Sequence, residues 1–401
     1  MWSLEEARSR LLADLPRLPQ ESVLLAAAVG QFIPAELTAA IDLPPFNNSA
    51  MDGYAVRAED TRDASPEKPV RLRRMGAAAA GTVFTGRAEV GDCVRVFTGS
   101  PLPAGTDSVI MQEDVDATDS DILVREAARP WEFVRFRGED VAAGSTVLSC
   151  GTRISPAAIG LLAALGRSHV TVRRKPRVAI IATGSELQPA GTPLELGRIY
   201  ESNSLMLEAL LRTAGAQITH RLWVPDDPRM TAEALAETLS SADLVVTAGG
   251  VSVGEHDLVR SAFIGLGGSV EFWRIAMKPG KPFFYGRLGE QFLLGVPGNP
   301  VSAFVTAVLL VLPALLSLQG AADPLPPDTA GFLAEEISNP DTRRHFVRVI
   351  LDRAGQVHRA GVQASHALSP LATATGLVDV PPRTTLAAGD AVRVICIPGG
   401  G

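Results

Sequence analysis

From Arg177 onward, short aliphatic and β-branched runs alternate with amphipathic stretches: RVAIIAT, a helical pattern from Ser204 to Thr213, QITHRLWV, a second helical pattern from Pro228 to Ser240, then DLVVTAGG. Continuously apolar strands separated by one-faced helices are the signature of βαβ units, whose crossover helices cover both faces of a parallel sheet. The pattern predicts a doubly wound α/β domain, placed at 173–323. Within it, Gln291 to Ala322 carries no charge, and Val301 to Leu318 is an 18-residue, mostly apolar run. That length reaches a membrane span. The run nevertheless follows a Gly-Val-Pro-Gly-Asn-Pro turn, contains Ser302, Thr306, Pro313 and Ser317, and ends in a Pro-rich stretch, so it reads as a buried helix and no membrane is expected.

Elsewhere the periodicity changes. Between 53 and 139 the apolar runs are short (VRLRRM, DCVRVFTG, DSVIMQED, DILVRE) and punctuated by Gly, Pro and Asp, which predicts a β-rich module, placed at 47–139. LEEARSRLLADL near the start and SPAAIGLLAALG at Ser155 to Gly166 read as helices that pair, so that 1–46 and 140–172 form a split helical domain into which the β-rich module is inserted. QGAADPLPPD is a linker by composition, and 324–401, with HFVRVILD and GDAVRVICI, reads as a small all-β domain.

The length of 401 residues and the 46% hydrophobic content suit several domains with cores of their own. A net charge of −7 argues against nucleic-acid binding through a basic face, so any anion site must be local. Cys93, Cys150 and Cys396 are odd in number, far apart and without metal-ligand spacing, which excludes a disulfide framework or a zinc module and suits a reducing, cytoplasmic setting. The first fifteen residues lack the layout of a signal peptide, so export is not expected. Of 37 basic residues only four are lysines, and two of these, Lys278 and Lys281, stand in Lys-Pro-Gly-Lys-Pro. A chain that otherwise writes Arg is there asking for compact ammonium charges, presented from a proline-stiffened turn for an anion.

In a doubly wound sheet, ligands bind outside the carboxyl ends of the strands. Three turns there each combine a carboxylate with Gly or Pro: Gly184-Ser185-Glu186, Asp226 in the Asp-Asp-Pro turn, and Gly249-Gly250 through Ser252 to Asp257. Glycines admit an anion close to the backbone, and carboxylates on one rim can hold a divalent cation. Helix capping by Ser185, Asp226 or Asp257 is the alternative for any one of them. Gly250 to Gly254 also fits the G-x-S-x-G elbow of serine hydrolases, with Ser252 as nucleophile and His345, His358 or His366 as base, although those histidines lie beyond the linker. Pro297, Gly298 and Asn299 open the long apolar helix and offer free N–H groups. Two turn-dense stretches in the β-rich module, Pro44 to Ala55 around Asp52 and Phe97 to Gly105 around Thr98, have no periodic explanation and are structural loops or oxyanion contacts.

Taken in order, PPFNNSAMDGYAV, FTGSPLPAGTDSVIMQED, RVAIIATGSEL, GRIYESN, TAGGVSVGEHD, MKPGKP and GVPGNPVSA resemble the molybdopterin molybdenumtransferase family, which inserts molybdenum in the last step of molybdenum-cofactor synthesis and has the C-terminal part of gephyrin as an animal relative. The α/β domain alone is also similar to molybdopterin adenylyltransferases; the N-terminal motifs and KPGKP favour the transferase. The resemblance implies a cytoplasmic, elongated homodimer of four-part subunits: a split helical domain, an inserted β-rich domain, the α/β domain and a C-terminal β-barrel-like domain. It implies a site shared between subunits for adenylylated molybdopterin, molybdate and Mg2+, with release of AMP. By motif, Asp52, Thr98, Glu186, Asp226, Asp257 and Lys278 match functional positions, with Glu186, Asp226 and Asp257 around Mg2+. Gly184, Ser185, Gly249, Gly250, Ser252, Lys281, Pro297, Gly298, Asn299 and Ser365 are expected to contact substrate. An adenylyltransferase is a possible protein partner. Asn47 and Arg274 depart from the family's usual Asp and Lys, which bears on substrate affinity and on molybdate against tungstate. A gephyrin-like scaffold without turnover is the alternative outside enzymes.

Overall fold

The computed structural model describes residues 1–250 and 257–399. The chain forms two compact units: Met1–Pro34 with Cys150–Ser155 and Val170–Gly401, and Ala35–Ser149 with Pro156–His169. The helix Leu4–Asp14 belongs to the first unit and the helix Pro156–Ala164 to the second.

In the second unit six strands form one sheet, in the order Ser108–Met111, Gly53–Val56, Asp92–Val96, Val70–Ala78, Asp121–Val124 and Val115–Ala117. Side chains alternate across a strand. Tyr54 and Val56 therefore join Leu72, Cys93, Ile110 and Ile122 in one core, while Ala55 joins Ala78, Val96, Val109 and Val134 in another. Gly53 is required in the Asp-Gly pair because a Cβ there would lie 2.0 Å from the Ile110 carbonyl oxygen.

In the first unit the sheet order is Gln217–Val224, Arg177–Thr183, Leu244–Ala248, Gln291–Val296, Phe284–Leu288 and Ser269–Trp273. The first four strands run parallel, as their apolar runs predict; the last two pair antiparallel. The reason is the connection: Leu288 pairs with Gln291, leaving only Gly289 and Glu290 to turn the chain, and two residues make a hairpin but never a crossover. Val178 and Ile180 face the core beneath the helices Asn203–Thr213 and Pro300–Leu318, whereas Ala179 and Ile181 face that beneath Pro228–Ser241 and Leu258–Gly265. From Arg177–Thr183 the chain moves out to Gln217–Val224 and returns on the other side to Leu244–Ala248. That reversal opens a crevice at the carboxyl ends of the two strands.

The uncharged helix is interior. Pro300–Thr306 and Leu312–Leu318 are α-helical, and Ala307–Val311 between them is a π segment. Pro313 has no N–H and its ring crowds the preceding turn, and widening the ladder before it removes the conflict. The helix is covered by Leu4, Ala7 and Leu11, by the sheet, and by Phe346 and Leu377. Phe346 and Leu377 come from a closed five-stranded barrel made of Arg344–Leu351, Gln356–Arg359, Asp328–Leu333, Ala391–Cys396 and Gly376–Val380. The short strand Met277–Lys278 pairs in parallel with Arg344–Leu351, so the lysine motif is hydrogen-bonded to the barrel wall.

Leu310, fully buried in the π segment, tests the interior role. Leu310→Ala is expected to lower the stability of the protein by about 2–5 kcal/mol, measured as a fall in the urea midpoint at unchanged slope.

Candidate active site

The crevice is built from turns that brace one another. After Thr183, the Gly184 N–H donates to the Val224 carbonyl at 3.1 Å and the Trp223 indole donates to the Gly184 carbonyl at 3.0 Å. A Cβ on Gly184 would lie 2.6 Å from the Glu186 carboxylate. Ser185 and Asp226 exchange hydrogen bonds: the Ser185 N–H donates to Asp226 Oδ2 at 3.0 Å, and the Asp226 N–H donates to Ser185 Oγ at 2.9 Å. Asp226 is thus a brace between two strand-end turns and not a helix cap. Asp227 beside it caps Pro228–Ser241 by accepting from the Met230 N–H at 2.8 Å. Among the described residues, the Glu186 carboxylate has neither a hydrogen bond nor an ion pair.

Asp257 does cap a helix, accepting from the Arg260 N–H at 2.9 Å, and burial holds its carboxyl above the usual aspartate range against that hydrogen bond and the Arg260 charge. Gly249 and Gly250 have φ of 92° and 66°, a region only glycine enters cheaply, and a Cβ on either would fall 2.9 Å or less from atoms of Thr183. A Cβ on Gly298 would reach Gly249 at 3.6 Å, so the Pro297-Gly298-Asn299 turn closes on the Gly-Gly turn. The Asn203 amide donates to the Gly298 carbonyl at 2.7 Å. Ser252, with the rest of the G-x-S-x-G after Gly250, lies outside the described residues.

Three polar atoms here are buried without partners: Thr183 Oγ1, Thr247 Oγ1 and Asn203 Oδ1. Buried polar atoms are nearly always bonded, so unsatisfied ones gathered at strand ends mark where a ligand or water belongs. The sequence reading passed over both threonines, whose only signal is a hydroxyl residue closing an apolar strand.

The lysine turn joins the same region through the long helix. A Cβ on Gly280 would lie 2.5 Å from Thr306 Oγ1, and the Ile275 N–H donates to the Lys281 carbonyl at 3.0 Å. Lys278 Nζ is 3.9 Å from Asp341, a loose pairing that leaves most of its donors available. His345, opposite Lys278 in the strand pair, is lowered to about 4 by burial and then by the Lys278 and Arg348 charges. From the barrel, Ser365 Oγ accepts from the Asn299 amide at 3.2 Å and its carbonyl accepts from the Val301 N–H at 3.1 Å, filling a first-turn donor of the long helix. In the sequence His345 is a candidate only as a base for Ser252, and Arg348 carries no signal; their contacts are long-range and carry no motif.

Asp52 and Thr98 belong to the other unit, where they form a pair. The Thr98 N–H and hydroxyl donate to Asp52 Oδ1 at 2.7 and 2.8 Å and, with the Arg95 charge, hold its carboxyl below the usual range. Arg95 lies over the rings of Tyr54 and Phe97. Asn47 accepts from the Arg137 N–H at 2.8 Å, the hydrogen-bonding role that an Asp would also fill. Among the described residues no group of three or more His, Cys, Asp or Glu is disposed to hold a metal by itself.

Comparison with known proteins covers nearly the whole chain. Residues 2–166 match the "MoeA N-terminal region (domain I and II)", 179–317 the "Probable molybdopterin binding domain" and 330–397 the "MoeA C-terminal region (domain IV)". Molybdopterin molybdenumtransferase 2 of Mycobacterium tuberculosis is 40% identical over 95% of this chain and 96% of its own length. Molybdopterin molybdenumtransferase of Haemophilus influenzae is 37% identical over 92% of each. The crystal structure of the molybdopterin biosynthesis moeA protein from Pyrococcus horikoshii superposes with a TM-score of 0.86 at 30% identity, covering 99% of this chain and 100% of that one.

His345 gives the crevice a pH signature. Its folded value of about 4 lies below the ordinary 6.5, so between the two the unfolded chain binds a proton that the folded chain refuses. This contribution to stability is complete above about pH 6.5 and is lost as the pH falls toward 4. His345→Gln is expected to flatten that part of the plot of urea midpoint against pH.

Proposed function

The chain belongs to the molybdopterin molybdenumtransferase family and is an enzyme of molybdenum-cofactor biosynthesis, and on that premise we propose how its residues insert molybdenum from molybdate into adenylylated molybdopterin with release of AMP. The observation that carries the assignment of the site is the gathering of Glu186, Ser185–Asp226, Gly249–Gly250 and Pro297–Asn299 at the strand-order reversal, with three unpartnered buried polar atoms among them. The family comparisons speak for turnover and give no support to a scaffold without it or to a serine hydrolase.

Both substrates are anions, and bringing an oxometalate to a dithiolate adds repulsion. Lys278 and Lys281, presented from a turn fixed to the barrel and to the long helix, offset it with compact charge. The Gly250 N–H and the Thr183 hydroxyl, with Ser185 and Gly249 shaping the turns, line the place for phosphoryl oxygens, and Gly298, Asn299 and Ser365 support the opposite rim. Glu186 and Asp226 orient water for attack on the pyrophosphate; AMP then leaves. Asp257, whose carboxyl burial raises above the usual aspartate range, is assigned to the same step. Asp52, with Thr98 hydrogen-bonded to it, acts from the partner subunit on the pterin-bound group being metallated.

Mg2+ is proposed as the accompanying cation. Glu186, Asp226 and Asp257 do not form a metal cluster by themselves among the described residues, but they offer only hard oxygen, and water and substrate phosphate would complete the shell that Mg2+ usually demands. When bound it would neutralise charge on the pyrophosphate. The homodimer, the cytoplasmic setting, an adenylyltransferase as supplier of substrate, and the division into 1–46 with 140–172, 47–139, 173–323 and 324–401 are proposed with it. Family membership supports the first three, and the largely separate sheets of 47–139, 173–323 and 324–401 support those three parts of the last.

AMP release from adenylylated molybdopterin, followed together with metal insertion, tests this reading. Release should require both molybdate and Mg2+, and Asp226→Asn should slow it about 10²-fold or more without unfolding the protein. Full AMP release by that variant with unchanged Mg2+ dependence would refute the role given to Asp226.

A further inference from the structure

Two arginines in the first unit stand apart from those that hold it together. Many guanidinium groups there are matched to acceptors: Arg174 and Arg177 to Asp243, Arg344 to Asp379 and Glu5, Arg359 to Glu335, and Arg348 to backbone carbonyls. Arg260 and Arg274 have no carboxylate within ion-pair distance among the described residues, and the Nε of each is buried without a hydrogen-bond partner. Both instead lie over one ring, with their guanidinium carbons 4.2 and 4.3 Å from the centroid of Trp273. The two guanidinium groups thus share one indole.

The backbone brings Arg274 to this ring. Adjacent residues on a strand point to opposite faces, which would carry Arg274 away from Trp273. Arg274 instead has φ of 75°, a left-handed conformation that a side chain adopts only when its surroundings impose it. Its N–H donates to the Phe283 carbonyl at 3.0 Å, and its carbonyl accepts from the Trp2 N–H at 3.2 Å, which hold it there. Arg260 arrives from the helix that Asp257 caps. The stack therefore ties the segment carrying Asp257 to the segment leading into Lys278 and Lys281. Stacking on an indole orients a guanidinium but leaves its fork of N–H groups open, and two like charges held on one ring gain most from a shared polyanion.

We propose that Arg260 and Arg274, both stacked on Trp273, bind a diphosphate, each fork taking one phosphoryl group, with Trp273 as the positioning residue. The ligand chemistry rests on the reading above: the diphosphate is the pyrophosphate of the adenylylated substrate. A single phosphate engages one fork only, so the site prefers two linked phosphoryl groups to one.

Calorimetric titration of the full chain with inorganic pyrophosphate and with orthophosphate tests the site without turnover. Pyrophosphate should bind at least about tenfold tighter, and Arg260→Gln or Arg274→Gln should weaken it about 10- to 100-fold while the melting temperature holds. Trp273→Leu should weaken pyrophosphate although it removes no charge, and Trp273→Phe should weaken it less, a grading that a purely electrostatic role would not give. Equal affinity for the two anions, or unchanged pyrophosphate binding in Arg260→Gln, overturns the site. In turnover, Arg260→Gln should raise KM for the adenylylated substrate; an unchanged KM overturns the assignment of the site to that substrate. Pyrophosphate binding through Arg260 in a protein that releases no AMP would support the site and sink the transferase mechanism, so the two readings fail separately.

Discussion

The helix beginning at Pro300 has to be covered along its whole length, and much of the first unit is arranged to do so. It carries no charge, and Val301, Ala303, Val305 and every residue from Ala307 to Val311 are buried. No single neighbour can enclose a cylinder. The sheet takes one side, the amino-terminal helix another, and Phe346 and Leu377 of the barrel a third. Because the helix starts at Asn299–Pro300, the turn before it is pinned at the crevice by that burial, and the barrel is brought to where Ser365 can bond Asn299 and Val301. The apolar run that looks most like a membrane span is thus what assembles the rim of a polar site.

The two ends of the α/β sheet show how position divides structure from chemistry. At the amino end of Leu244–Ala248, Asp243 receives both Arg174 forks and the Arg177 N–H, a carboxylate with its acceptors filled. At the carboxyl end, among the described residues, Glu186 has no partner and Thr183 and Thr247 keep unbonded hydroxyls. A fold can leave polar groups unsatisfied only at a cost of about 1–3 kcal/mol each, so their concentration at one end is a statement about what that end is for.

Much of this was legible in the sequence because it is local. The strands at 177–183, 217–224 and 244–248 and the helices between them follow from periodicity within a residue or two. The glycines at 249 and 250 announced a turn that no other residue tolerates. What escaped was set by tertiary geometry. Asp226 and Asp227 are chemically identical neighbours, and only the backbone decides that the second caps a helix while the first reaches across to Ser185. The hairpin at Gly289–Glu290 turns an apolar strand antiparallel with no change in its pattern. Lys278 faces His345 and Asp341 through a strand pair spanning dozens of residues, and nothing in the local sequence encodes such a contact.

The scarcity of lysine in this chain can now be given a physical meaning. Arginine holds the architecture because a planar fork matches a carboxylate or a set of carbonyls and keeps its charge when buried, as Arg174, Arg344 and Arg348 do. Residue type alone therefore does not separate function from structure, since Arg260 and Arg274 share that type and lack those partners. What separates them is an unmet requirement. Lys278 pairs only at 3.9 Å, Glu186 has no partner among the described residues, and Arg260 and Arg274 have an aromatic face where the others have an acceptor. These groups lie on the crevice turns, on the helix that follows them and on the strand leading into the lysine motif. Together they form a surface whose charge is completed by what binds to it, while charge elsewhere in the unit is largely completed by the fold.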